Sequence, residues 1–212
     1  GFAERLKGRR IERLSRRAKY ILASVEGGDC LLIHLGMTGR FTVFQGGGAR
    51  NLGEFYFETE AGEEGKGLHD HVVFTLEDGA RVVYTDPRRF GIMDLFAEAD
   101  APAHKLLKDI GVEPLGNELH AGYLSAKFAG KSAPLKAALL DQRIIAGLGN
   151  IYVCEALFRT RLNPARAAAC LATPTGKPNV RTVALIPHIQ AILAEAIEAG
   201  GSTLRDYQQT DG

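Results

Sequence analysis

The chain has 212 residues, 45% of them apolar and 24% charged, enough to bury one or two hydrophobic cores and unlike a disordered or fibrous chain. Its 26 basic and 25 acidic residues leave a net charge of +1, which excludes a uniformly basic packaging protein and leaves only local patches to meet a polyanion. No apolar run approaches the roughly 20 residues that cross a bilayer, and Gly1 to Arg10 lacks the apolar core of a signal peptide, so a soluble, intracellular chain is expected.

Between Gly1 and Lys19 stand eight basic residues, Arg5, Lys7, Arg9, Arg10, Arg13, Arg16, Arg17 and Lys19, against Glu4 and Glu12. Such a run reads either as a solvated helix face or turn, or as a phosphate-facing surface. From Lys19 to Phe96 the segments KYILASV, LLIHL, GRFTVF, GEFYFE, HVVFTL, RVVYT and GIMDLF are rich in β-branched and aromatic residues and punctuated by glycine, predicting strands of a sandwich or barrel. Glu26-Gly27-Gly28-Asp29 and Glu77-Asp78-Gly79-Ala80 read as hairpin turns, because glycine accepts positive φ. Gly46-Gly47-Gly48 and Glu60 to Gly67 read as surface loops. Gly111 to Asn117 has few helix formers and reads as a linker between residues 1–110 and 118–212. Beyond it the pattern is helical: Leu135 to Gln142, Asn150 to Arg161, and a long helix from about Asn179 to Ala199. In the last, Leu185, Ile189, Ile192, Leu193, Ala196 and Ile197 mark one buried face.

The cysteines Cys30, Cys154 and Cys170 are odd in number and show no CxxC spacing. They indicate neither a disulfide framework nor a cysteine zinc site, and read as buried apolar filler.

Several stretches have the residue types of a phosphate or nucleic-acid site. In Gln142 to Tyr152 a turn on Gly147 and Gly149 precedes a helix at Asn150, which would turn unpaired N–H groups outward at a helix N-terminus; the plainer reading makes Asn150 an ordinary N-cap. Thr85-Asp86-Pro87-Arg88-Arg89-Phe90-Gly91 sets guanidiniums beside an aromatic on a stiffened loop, suited to phosphates or to wedging a duplex; the plainer reading pairs Asp86 with an arginine and turns Phe90 to the core. His34 to Met37 ends an apolar strand, where a thioether could enter a gap in stacked bases or simply complete the core. His69 and His71, one residue apart on a strand, would face opposite ways and share no metal; one suits a phosphate contact, the other a structural role. Lys19 closes the basic run at the start of an apolar strand, a rim position where its pKa can fall and proton transfer becomes possible, although a surface lysine explains it too. Lys131 and Lys136 precede the glycine turn and add charge.

Taken together, RRAKYIL (Arg16 to Leu22), IHLGMTG (Ile33 to Gly39), HDHV (His69 to Val72), YTDPRRFG (Tyr84 to Gly91), GLGNIYVCEALF (Gly147 to Phe158) and GGSTLRDYQQTDG (Gly200 to Gly212) resemble the bacterial formamidopyrimidine-DNA glycosylase family over nearly the whole chain. The resemblance implies an α+β multidomain protein: a β-sandwich at residues 1–110, lacking its first strand or helix, then an all-α helix-two-turns-helix domain at 118–212, with DNA between them. It implies a base-excision repair glycosylase and AP lyase that flips an 8-oxoguanine or formamidopyrimidine out of double-stranded DNA, forms a Schiff base at C1′ through an N-terminal proline, and proceeds by β,δ-elimination. Lys19 matches the active-site lysine. Met37, Arg88 and Phe90 match the residues that fill the gap left by the extruded base. His34, His69, Lys131, Lys136 and Asn150 match DNA-contacting or lesion-proximal positions, with the Gly147 to Gly149 amides at the phosphate, and Thr203 to Gly212 matches the loop that closes over the base.

The family's proline-glutamate start and its four-cysteine zinc ribbon do not match residues of this sequence. A fragment is therefore expected: no cofactor or metal in this chain, one Zn2+ in the absent ribbon, and no Schiff base formed by these residues alone. The resemblance further implies a monomer acting on DNA with oxidised purines or abasic sites in the bacterial cytoplasm, at the nucleoid and not at a membrane. Two other readings stand beside it: an endonuclease-VIII-like enzyme for oxidised pyrimidines, which PRRF and Met37 disfavour, and a non-enzymatic binder of damaged DNA.

Overall fold

The computed structural model of the chain describes residues 1–46, 48–51 and 67–200. The predicted strand GEFYFE, nearly all of the loop from Glu60 to Gly67, and the tail containing Thr203 to Gly212 lie outside the described residues. In chain order the elements are α1 (Phe2–Leu6), β1 (Ile11–Arg17), β2 (Tyr20–Val25), β3 (Asp29–His34), β4 (Arg40–Gln45), β5 (Gly48–Asn51), β6 (Asp70–Thr75), β7 (Arg81–Thr85), β8 (Ile92–Ala97), α2 (Ala121–Phe128), α3 (Leu135–Leu139), α4 (Asn150–Arg159) and α5 (Val180–Glu198). Among the described residues the strands form two four-stranded sheets, ordered β1-β2-β3-β8 and β5-β4-β7-β6. The architecture is therefore α+β, an antiparallel β-sheet region followed by a helical one. By contacts the chain divides into a unit of Gly1–Cys30 with Phe96–Ile197 and a second unit built on Leu31–Leu95.

In the first unit the N-terminal basic run begins on the exposed helix α1, which carries Arg5, and continues into a strand. Its second half is β1, paired antiparallel with β2 from Ile11↔Val25 to Arg17↔Tyr20. The strand escapes a period-two search because Ile11-Glu12-Arg13-Leu14-Ser15-Arg16-Arg17 has no apolar face, as suits the edge of a sheet. Its arginines are engaged by carboxylates: Arg13 bonds Glu98 at 2.8 Å, and Arg16 and Arg17 bond Glu113 at 2.9 and 2.8 Å. The predicted turn at Glu26 to Asp29 is present, with Gly27 and Gly28 at φ 91° and 85°.

The helices of this unit close over one core, in which Phe128, Leu135, Leu139, Ile145, Leu148, Val153, Leu157, Leu171, Leu185 and Ile189 are buried. Removing each such leucine-sized side chain from water contributes about 1.5–3 kcal/mol. The start of α5 is capped by Asn179, whose Oδ1 accepts the N–H groups of Arg181 and Thr182 at 3.0 and 3.3 Å. Contrary to the expectation from apolar runs, α5 is by length and composition apolar enough to cross a membrane, with 19 residues and a mean hydropathy of 1.3. It belongs to the core all the same, since Leu185, Ile186, Ile189 and Ile192 are buried there.

The supposed linker residues Gly111 and Val112 run alongside the chain before α4. Gly111 N–H donates to Gln142 C=O at 2.8 Å, Val112 N–H to Ile144 C=O at 3.2 Å, and Ala146 N–H to Val112 C=O at 2.8 Å. A Cβ at Gly111 would collide with the Ile144 carbonyl, so only glycine permits this approach.

In the second unit β4 pairs antiparallel with β5 and β7, and β6 with β7. The predicted hairpin at Glu77 to Ala80 joins β6 to β7, with Gly79 at φ 82°. Gly48, read as loop, instead begins β5.

Leu148 is fully buried and Leu14 is 68% exposed. Replacing Leu148 by Ala is expected to cost about 2–5 kcal/mol, and replacing Leu14 by Ala within about 0.5 kcal/mol. Urea unfolding of both variants checks this; equal losses would contradict the assigned core.

Candidate functional site

In the first unit, β1 and β2 are joined by the two-residue turn Ala18-Lys19. Ala18 is buried and sits at φ 53°, the left-handed region that costs a non-glycine residue about 1–2 kcal/mol. Glu113 compensates. Its Oε1 accepts the Ala18 N–H at 2.7 Å and an Arg17 N–H at 2.8 Å, while Oε2 accepts from Arg16 at 2.9 Å. Arg16 also donates to the Ala18 carbonyl at 2.7 Å, and Arg17 to the carbonyls of Ile110 and Gly111 at 2.8 and 2.5 Å. Burial works to raise the Glu113 pKa, but the Ala18 amide and the two arginines outweigh it and hold the carboxyl below its usual range.

This turn lies against the glycine turn before α4. A Cβ at Gly147 would come within 3.3 Å of Ala18 Cα, and one at Gly149 within 3.2 Å of Lys19 Nζ. The Lys19 amine thus runs beside the start of α4, and loss of hydration there lowers its pKa below the ordinary lysine value. The N-cap of α4 is Gly149, in extended backbone and without a side-chain cap. Asn150 is the first helical residue and is exposed, correcting the plainer reading that made it the cap. Its Oδ1 has the Cys154 thiol at 3.9 Å. An uncapped α4 start presents N–H groups and a partial positive charge, which favour an anion.

Gln142 holds the glycine turn. Its amide donates to the Leu140 and Leu148 carbonyls at 3.0 and 2.9 Å and its oxygen accepts the Gly147 N–H at 2.9 Å. Lys131 and Lys136 are half-buried in the same unit, Lys131 with its Nζ 5.9 Å from the Phe128 ring centroid and Lys136 within α3. Sequence reasoning singled out neither Glu113 nor Gln142. The one signal for Glu113 is a carboxylate between Val112 and Pro114 in a stretch with few helix formers.

In the second unit the loop from Asp86 to Gly91 is organised by a buried carboxylate. Asp86 accepts from Thr38 Oγ1 at 2.5 Å, from the Gly91 N–H at 2.8 Å and from the Tyr84 hydroxyl at 3.1 Å. No arginine side chain pairs with it among the described residues, so the expected Asp86–arginine pairing is replaced by neutral donors. Phe90 does not face the core either: it is 54% exposed, and Met37 72%. Arg88 joins the two, with its guanidinium carbon 4.5 Å from the Phe90 ring centroid and a nitrogen 3.5 Å from Met37 Sδ. The three residues expected to act as a wedge therefore form one exposed cluster.

Two glycines make that cluster possible. A Cβ at Gly36, at φ 68°, would lie 2.7 Å from the Phe90 carbonyl carbon; one at Gly91 would collide with the Tyr84 hydroxyl. His34 closes the Met37 turn, its Nδ1 accepting the Gly36 N–H at 3.0 Å. His69 precedes β6 and lends its carbonyl to the Asp86 N–H at 2.9 Å. His71 has the structural role, its Nε2 lying 2.8 Å from the Asp86 carbonyl.

Among the described residues no group of three His, Cys, Asp or Glu side chains could hold a metal. Cys30 is buried filler as expected, whereas Cys154 and Cys170 are only half-buried.

Burial works to raise the Asp86 pKa, but hydrogen bonds from Thr38, the Gly91 amide and Tyr84 outweigh it and leave it lowered. A carboxyl lowered on folding stabilises fully above its unfolded value, about 4, and loses that contribution as pH falls through the folded value. Asp86→Asn is therefore expected to melt lower than the parent at pH 7 and to lose less stability than the parent below about pH 4; thermal melts across pH check it, and an unchanged acid limb would contradict it.

Known proteins identify the family. Residues 1–93 match the formamidopyrimidine-DNA glycosylase N-terminal domain and residues 110–208 the formamidopyrimidine-DNA glycosylase H2TH domain. The formamidopyrimidine-DNA glycosylase of Ruegeria pomeroyi is 54% identical over 210 residues, 99% of this chain and 69% of that protein; that of Methylocella silvestris is 54% identical over 211 residues, 100% of this chain and 70% of that protein. The crystal structure of MutM (Fpg) from Thermus thermophilus matches with a TM-score of 0.74 at 38% identity, covering 94% of this chain and 64% of that one, so this chain spans less than two thirds of it. Lactococcus lactis Fpg in complex with abasic-site DNA matches with a TM-score of 0.78 at 28% identity, covering 95% of this chain and 66% of that one. With both family domains present in order along its length, the chain belongs to the formamidopyrimidine-DNA glycosylase family.

Proposed function

We propose that this chain is the DNA-engaging part of a base-excision repair glycosylase and AP lyase, which removes oxidised purines from double-stranded DNA by flipping the damaged base. The observation that carries this reading is the Lys19 amine, of lowered pKa, beside the uncapped start of α4. An amine and a set of backbone N–H groups at one place suit a phosphate oxyanion. In this reading Lys19 holds the phosphate next to the lesion and assists strand scission, while Gly149, Asn150, Lys131 and Lys136 grip the flanking backbone. Met37, Arg88 and Phe90 occupy the gap left by the flipped base and meet its partner base. His34 and His69 act near the lesion, His34 through the turn it closes. The attack at C1′ falls to none of these residues. It takes the protein as a monomer in the bacterial cytoplasm.

The Lactococcus lactis relative has also been solved with DNA containing an oxidised pyrimidine, which favours including the pyrimidine lesion class in the test. Fluorescence anisotropy with undamaged, tetrahydrofuran-containing, 8-oxoguanine and oxidised-pyrimidine duplexes is expected to rank the abasic analogue first among them, with affinity falling steeply as salt rises. Phe90→Ala should cut the preference for the abasic duplex about tenfold, within the roughly 1–3 kcal/mol that one base–aromatic stack contributes. Asn150→Ala should weaken all four duplexes alike. Equal, weak binding to every duplex by the parent chain would overturn the proposal.

A further inference from the structure

Ala18 sits in the left-handed region without being glycine, and its N–H has no strand partner, since the β1–β2 register ends at Arg17↔Tyr20. That N–H reaches Glu113 instead, at 2.7 Å. Glu113 follows Gly111 and Val112, which are hydrogen-bonded to Gln142 and Ile144 at the root of the glycine turn. Gly147 and Gly149 of that turn then approach Ala18 and Lys19. The chain of contacts closes on itself: Glu113 to the lysine turn, the lysine turn to the glycine turn, the glycine turn back to the Gly111-Val112 segment. All of its members lie in the first unit.

We propose that Glu113 is a positioning residue for Lys19: by accepting the Ala18 amide it keeps the strained turn folded against Gly147 to Gly149 and so holds the lysine amine beside the start of α4. The inference rests on the reading of Lys19 given above, and deepens it by naming what places the amine. The acceptor does this work, and the charge on Glu113 serves Arg16 and Arg17. Among the described residues Glu113, Arg16 and Arg17 are the charged groups bonded around this turn, and the glycine turn contributes backbone dipoles.

Geometry and charge predict opposite results for the amine itself, which can be read without any enzymatic activity. Lysines of the chain are reductively methylated with 13C-formaldehyde, the Lys19 signal is assigned by its loss in Lys19→Arg, and its midpoint is followed by NMR across pH. Glu113→Gln retains an Oε1 for the Ala18 amide, and the Lys19 midpoint is expected to stay close to the parent's. Glu113→Asp keeps the charge but withdraws the acceptor by one methylene, and Glu113→Ala removes it. In both the amine is expected to leave Gly149 for water, raising the midpoint, because the desolvation that lowered it is relieved. Were Glu113 to act only by charge, Gln and Ala would each lower the midpoint and Asp would leave it unchanged; that pattern, or no shift in any variant, overturns the proposal. If Glu113→Ala fails to melt cooperatively, the contrast between Gln and Asp decides. Failure of the parent chain to prefer the tetrahydrofuran duplex would overturn the proposed function, whereas the Lys19 midpoints judge the role of Glu113 by themselves.

Discussion

A backbone N–H forced into a left-handed turn has no helix or strand partner, and burying it unpaired costs about 1–3 kcal/mol. The hydrogen bond from Ala18 to Glu113 meets that requirement at the one buried non-glycine residue of the first unit that adopts positive φ. Without it the turn would combine strain with an orphaned donor, and the left-handed conformation persists only where the surroundings over-determine it. The two arginines complete the arrangement by balancing a partly buried carboxylate whose charge would otherwise be expensive.

The second unit solves a similar problem with Asp86. Its oxygens take a hydroxyl from Thr38, a hydroxyl from Tyr84 and the amide of Gly91, all neutral donors, so the negative charge survives burial through hydrogen bonds alone. In both units the groups presented outward are separate from the groups that aim them. Lys19 is aimed by Glu113, and Arg88 and Phe90 lie on a loop folded around Asp86. Outward residues can then be chosen for chemistry and inward ones for rigidity, as a preorganised site requires.

What could be read in the sequence follows the same division. Strands such as Arg81–Thr85 announced themselves by β-branched and aromatic composition, and the apolar face of α5 by its three-to-four-residue period. Phe90 among arginines announced itself because an aromatic on a polar loop has few structural uses. The edge strand Ile11–Arg17 stayed hidden, since its stability lies in backbone pairing and ion pairs that leave no apolar pattern. Glu113 and Gln142 stayed hidden for a different reason: their partners are 95 residues away in one case and backbone atoms in the other, and side-chain identity encodes neither. The N-cap position of α4 was misplaced by one residue because an asparagine at a helix start normally occupies it, whereas here the glycine before it does and offers no side-chain cap.

The guanidinium of Arg88 already covers one face of the Phe90 ring. An incoming nucleobase that stacks on that face must evict the cation, and the evicted cation becomes available to the edge of the same base or to a neighbouring phosphate. In the proposed function intercalation and hydrogen bonding at this loop are therefore linked events, so the energy of one contact is partly returned through the other, and a ring without its arginine would insert by a different balance of stacking and charge.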